Sequence, residues 1–222
     1  MPPTATQAQL RLAFGRWGRP ERLRVDNGAP WGTRGDLPTD LQLWLLGMGV
    51  AISPNPPGRP QDNGVVERSQ GTGKRWGEPW TCETPEQLQR RFEELDEIQR
   101  REYPSIAGRS RCEAFPEVVH SGRTYTPEWE QTDWSLSRVA VELAGYAVRR
   151  RADATGTISL YNRRHYIGTI NRHKSIYVMF DPGTYEWVIA DHEGRQLSRQ
   201  PATHINREDI MNLTVSLRDK GT

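Results

Sequence analysis

The chain has 222 residues, 35% hydrophobic and 26% charged, a balance that fits one ordinary domain or two small ones and excludes a disordered chain. No stretch approaches the roughly 18 to 20 apolar residues of a membrane helix, and the first thirty residues carry no apolar core with a small-residue cleavage site, so a cytoplasmic protein with no membrane partner is expected. Net charge is only +2, and Cys82 and Cys112 have neither a CxxC partner nor a histidine at zinc spacing, which argues against a zinc site.

In chain order, Ala5, Leu10, Leu12, Ala13, Phe14 and Trp17 predict a short helix that stops at Gly18-Arg19-Pro20. Leu23 and Val25 alternate with Arg22 and Arg24 in a brief strand that runs into Asp26-Asn27-Gly28. Leu41, Trp44, Leu45 and Met48 share one face of a second helix closed by Gly49, and Val50-Ala51-Ile52 reads as a buried strand. Four prolines between Pro54 and Pro60 predict an extended loop. Helix resumes where Asp62 or Asn63 can cap the turn beginning at Gly64. Gly71, Gly73 and Gly77, each costing about 1 kcal/mol against Ala, predict that this helix is short. A longer helix from Thr84 to about Arg101 follows, with Thr84-Pro85-Glu86 as its start signal.

Residues 103 to 135, rich in Pro, Ser and Arg, read as a linker. From about Val139 the pattern becomes that of strands: Val139-Ala140-Val141, Tyr146-Ala147-Val148, 157–160, 165–167, 175–180 and 186–190, separated by Gly- and Pro-containing turns. Short strands at that spacing predict a small all-β, barrel-like domain. Between Arg149 and Lys174 stand Arg149, Arg150, Arg151, Arg163, Arg164, Arg172 and Lys174 against one acid, Asp153. Such a block suits phosphate contact, and equally a merely solvated face. Tyr161, Tyr166 and Tyr177 lie among these cations, where packing in the β-domain competes with a DNA-facing role. His165 and His173 fall in the same block and are read first as structural or surface residues.

Two motifs carry the chemistry: Leu23-Arg24-Val25-Asp26-Asn27-Gly28, and Pro57-Gly58-Arg59-Pro60-Gln61-Asp62-Asn63-Gly64-Val65-Val66-Glu67-Arg68. Asp26 ends a strand that feeds a helix and then another strand, where open α/β sheets carry their ligand-binding groups. Glu67 follows 41 positions later, in the first turns of a helix and four residues after Asn63. Carboxylates from a strand end and a facing helix can hold hard divalent ions through oxygen, as phosphoryl-transfer enzymes require. The string Gly71-Thr72-Gly73-Lys74 is not a phosphate loop, because Arg75 stands where Ser or Thr would bind magnesium.

Over residues 4 to 101 this order resembles the integrase catalytic core shared by retroviral integrases and bacterial insertion-sequence transposases, the DDE-type enzymes. The resemblance implies a partial RNase H-like α/β core over residues 1–101, a linker over 102–138, and a small β-barrel domain for DNA binding or assembly over 139–222. It matches the family's second catalytic Asp to Asp26 and its Glu to Glu67, both ligands of Mg²⁺ or Mn²⁺. DNA-facing roles fall by the same resemblance on Arg59, Asn63, Arg68 and Lys74, with Gly71 where a basic residue is common. The implied partners are transposon-end and target DNA, a second copy or a full-length transposase, in a nucleoid-associated cytoplasmic setting. No Asp precedes Asp26, so the first catalytic Asp has no counterpart, and the resemblance implies an N-terminally truncated, inactive remnant with a poorly stable N-terminal half. The alternative readings keep the ancestry and let the β-domain act alone, as a DNA-binding regulator or as a protein-assembly module.

Overall fold

The computed structural model describes residues 1–32, 36–56 and 64–217, with the side chains of Val65 and Val66 left aside. Along the chain run α1 (Pro3–Trp17), β1 (Arg22–Val25), α2 (Asp40–Gly47), β2 (Ala51–Pro54), α3 (Gly64–Gly77) and α4 (Pro85–Glu97). A short α5 (Arg111–Ala114), α6 (Pro127–Asp133) and α7 (Leu136–Ala144) lead into β3 (Ala147–Arg151), β4 (Thr157–Leu160), β5 (Arg163–Tyr166), β6 (Ser175–Asp181), β7 (Glu186–Ala190), β8 (Gln196–Pro201) and α8 (Arg207–Met211). Mixed α/β is therefore the fold class. By contact the chain divides into one compact unit of residues 1–13, 20–54 and 125–222 and another of 14–19 and 55–124.

In the first unit, β1 and β2 pair in parallel, Arg22 opposite Ala51 and Val25 opposite Pro54, with α2 as the crossover that parallel strands require. Among the described residues neither strand pairs with a third. Helix α2 starts with a reciprocal cap: Thr39 Oγ1 accepts the Gln42 N–H, while Gln42 Oε1 accepts the Thr39 N–H at 2.8 Å. Leu41, Leu43, Trp44 and Leu45 are all buried, so the helix has no solvent face of the usual width. It is covered by α7 and α8, and α7 in turn lies on β6. The core thus runs from α2 through Val139 and Leu143 of α7 to Ile176, Val178, Trp187 and Ile189 of the sheet.

Several expectations need correction. Val139-Ala140-Val141 is not a strand but the middle of α7. Val139, Ala140 and Leu143 recur at helical spacing and are buried, whereas Val141 is 70% exposed. No closed barrel forms among the described residues. The strands make an open antiparallel sheet in the order β3-β6-β7-β8, and β4 pairs only with β5. Tyr161 and Asn162, both left-handed (φ 48 and 62), form the two-residue turn that folds β4 back on β5. Helices α7 and α8 belong to the same unit, so residues 139–217 are not all-β.

The second unit joins α3 to α4. Here the expected short helix is instead 14 residues long. A Cβ on Gly73 would stand 3.6 Å from the Phe92 ring, and one on Gly77 at 2.8 Å. Two of the three glycines therefore face α4, and close packing there offsets their intrinsic cost; Gly71 has nothing within 4 Å. Thr84 caps α4 through the Gln87 N–H, and Arg91 ties the connection by donating to Thr81 Oγ1 at 2.8 Å. Arg16 reaches Glu97 at 2.7 Å. Much of the unit's apolar surface stays open, including Trp80 at 73% exposure. No helix among the described residues is long and apolar enough to cross a membrane.

Candidate functional site

Asp26 follows the last residue of β1 and is exposed; its Oδ1 accepts the Gly28 N–H at 3.2 Å, the local turn that Asp-Asn-Gly favours. The carboxylate thus emerges at the C-terminal end of a parallel strand pair. In the second unit, Glu67 occupies the first turn of α3 and is exposed, where a negative charge also suits the helix dipole. Arg68 and Lys74 on the same helix are exposed, and Lys74, seven residues after Glu67, lies on the same helix side two turns on. Arg59 and Asn63 lie outside the described residues. Among the described residues no group of three or more His, Cys, Asp or Glu side chains is gathered as for a metal ion. No family model matches the chain.

The basic block sorts into two sets. Arg150 is structural: its Nη1 reaches Asp36 at 3.0 Å and its Nε donates to the Ser159 carbonyl. Arg164 holds Asp153 at 3.2 Å, beside the contacts Asp153 makes to Thr155 and Thr157. Arg163 is half-buried on the wall of a cavity. By contrast Arg149, Arg151, Arg172 and Lys174 are exposed and form no ion pair with a described residue. Arg149 lies directly across from Tyr177 and Arg151 from Ser175 on the open sheet. The tyrosines divide likewise. Tyr161 donates to the Pro38 carbonyl at 2.9 Å, and burial pushes its hydroxyl pKa upward. Tyr166 and Tyr177 are exposed, at 61% and 38%.

Two features were not singled out from the sequence. The first is a cavity of about 1070 Å³ bordered by Arg163, His165, Gln200, Thr203, His204 and Asp209. Gln200 Nε2 donates to the Tyr166 carbonyl at 2.7 Å, so its Oε1 is the acceptor facing His165 Nδ1 at 2.9 Å. That arrangement fixes the His165 proton on Nδ1. Burial lowers the pKa of both imidazoles; that of His204, with His165 and Arg163 nearby, falls to about 4. His173, by contrast, is exposed. His165 lies at the buried position of β5 and His204 in the turn before α8, and no spacing rule brings two residues 39 positions apart together.

The second is a buried carboxylate. Glu130, 3% exposed, accepts from Arg11 Nη2 at 2.7 Å, Arg11 Nε at 3.0 Å, Trp44 Nε1 at 2.8 Å and the Tyr125 hydroxyl at 2.5 Å. Burial works to raise its pKa, but these donors outweigh it and hold the carboxyl below the usual range. Burial and the bond to Glu130 raise the Tyr125 hydroxyl. The cluster joins α1, α2 and α6 and has no open coordination site, so its part is structural. Its signal was available in the Thr126-Pro127 start of a helix within the stretch read as a linker.

Proposed function

We propose that this chain is the C-terminal part of a DDE-type transposase or integrase core, the partial RNase H-like unit the motifs resemble, and that it acts on DNA. The observation that carries the reading is Asp26 at the C-terminal end of the first of two parallel strands joined by a helix. Glu67 in the exposed first turn of the next helix, with Lys74 two turns further, supports it. In this reading Asp26 and Glu67 are two of three carboxylates that hold Mg²⁺ or Mn²⁺, which when bound activates the attacking hydroxyl and stabilises the leaving oxygen. Both are hard oxygen donors and fit such an ion in kind; in number they fall short, because residues 1–25 contain no Asp. No step is therefore assigned to residues 1–222 alone, and the partners are transposon-end and target DNA with a second copy or full-length transposase at the nucleoid.

A strand-transfer assay with a 3′-hydroxyl duplex and Mg²⁺ or Mn²⁺ tests this. Residues 1–222 are expected to join nothing. A chain extended by the in-frame upstream sequence, where that encodes three strands with an Asp on the first, is expected to join DNA and to lose joining with Asp26→Asn or Glu67→Gln. Undiminished joining by either variant would sink the reading. A second reading, DNA binding through the C-terminal strands without catalysis, is favoured by the four exposed cations Arg149, Arg151, Arg172 and Lys174. Salt-dependent DNA binding by the unextended chain, abolished when these are replaced by Ala, is its expected outcome.

A further inference from the structure

Beyond general DNA contact, the turn between β5 and β6 has an unusual form. Ile170 is 81% exposed, the most exposed aliphatic side chain of the C-terminal strands. Its surroundings are closely hydrogen-bonded. Asn171, buried beside it, donates from Nδ2 to the Ile167 carbonyl at 2.7 Å, and its N–H donates to the Gly168 carbonyl at 3.0 Å. Gly168 (φ 95) and Gly156 (φ 77) meet backbone to backbone; a Cβ on Gly156 would stand 2.2 Å from the Gly168 oxygen. The turn is also stitched to the end of β3, since Ala152 accepts the His173 N–H and donates to the Lys174 carbonyl, both at 3.0 Å.

That stitching sets Arg151, Arg172 and Lys174 around the tip. The nearest acid in sequence, Asp153, is held by Arg164. A single branched apolar side chain is far too small for a protein interface, which needs hundreds of Å² of contiguous surface. It is the size of a wedge that enters a base step, and the cations beside it match the flanking phosphates. Resting on the DNA-binding reading above, we propose that this turn inserts Ile170 between stacked base pairs from the minor groove and kinks the duplex, while Arg151, Arg172 and Lys174 hold the backbone.

The test uses the full chain and a duplex labelled at both ends for energy transfer, with affinity measured over a salt series. The wild type is expected to bind and to bend the duplex by about 20–90°. Ile170→Ala, at a solvent-facing position, is expected to keep the salt slope and lose the bend. Arg172→Ala with Lys174→Ala is expected to lower the log–log salt slope by about 2. Binding by the wild type without a bend, or an unchanged bend in Ile170→Ala, overturns the wedge and leaves the DNA reading standing. No salt-dependent binding by the wild type overturns both, as does association with anionic vesicles in place of DNA.

Discussion

Replacing Glu130 by Ala removes the shared acceptor of three side chains from three segments of the chain. Trp44 Nε1 and the Tyr125 hydroxyl then lie buried with a partner lost, and the Arg11 guanidinium loses its counter-charge. Breaking one side of a buried ion pair costs about 3–5 kcal/mol, and a stranded buried donor about 1–3 kcal/mol. These terms overlap, and the Arg11 side chain is 35% exposed, so it can rehydrate. A net loss of about 3–4 kcal/mol is expected, near 10 °C in Tm for a chain of this size. Urea denaturation followed by far-ultraviolet circular dichroism measures it. Glu130→Gln, which keeps an acceptor but loses the charge, is expected to fall between the two. A double-mutant cycle with Arg11→Met isolates the pair from the Trp and Tyr bonds. The depressed Glu130 pKa adds a pH signature: its stabilisation is complete above the ordinary glutamate range and is lost as pH falls through the lower, folded value. A loss below about 1 kcal/mol in Glu130→Ala would refute the view that this carboxylate ties α1 and α2 to α6.

Acid acts at the other buried cluster by adding a charge rather than removing one. His204 is neutral in the folded protein, with a pKa pushed from 6.5 to about 4, so the unfolded chain binds the extra proton between those values. Stability is expected to fall by up to about 3 kcal/mol as pH drops from 6.5 to 4, and less steeply in His204→Phe, as read by denaturation at each pH. In α3, Gly71→Ala is expected to stabilise by up to about 1 kcal/mol, since nothing lies within 4 Å of its Cβ position. Gly77→Ala is expected to destabilise by about 1–3 kcal/mol through its contact with Phe92, and thermal melts distinguish the two signs. A fragment of residues 139–222 is expected not to fold alone, because it lacks α2 against α7 and α8; a sharp cooperative melt of that fragment would contradict this.

The elements whose signal is local could be read from the sequence. The β1–α2–β2 order, the Thr84 start of α4 and the strand runs 157–160, 175–180 and 186–190 rest on periodicity and turn chemistry within a few residues, and the structure has them there, while the run read at 165–167 is a strand over Arg163–Tyr166. The failures lie where tertiary context decides. Val139-Ala140-Val141 has strand-type residues, but burial on β6 follows the helical spacing of Val139, Ala140 and Leu143. Strand β8, Gln196–Pro201, is polar and has no alternation to detect; it is defined only by its ladder to β7. At the candidate site, Asp26 and Glu67 stood out through their motifs. The division of the arginines into paired and unpaired depended on Asp36 and Asp153, which no spacing rule connects to them.

The first unit has a core whose two halves are far apart in the chain. Trp134 Nε1 bonds the Trp44 carbonyl across 90 positions, and Trp44 bonds Glu130 across 86. A ribosome adding about 5–20 residues per second therefore leaves the largely apolar α2 without its cover for several seconds after it is made. A nascent chain arrested near residue 110 is expected to bind more of an apolar-surface dye than the released full chain. Synthesis thus makes the buried α2 long before the α7 and α8 that cover it.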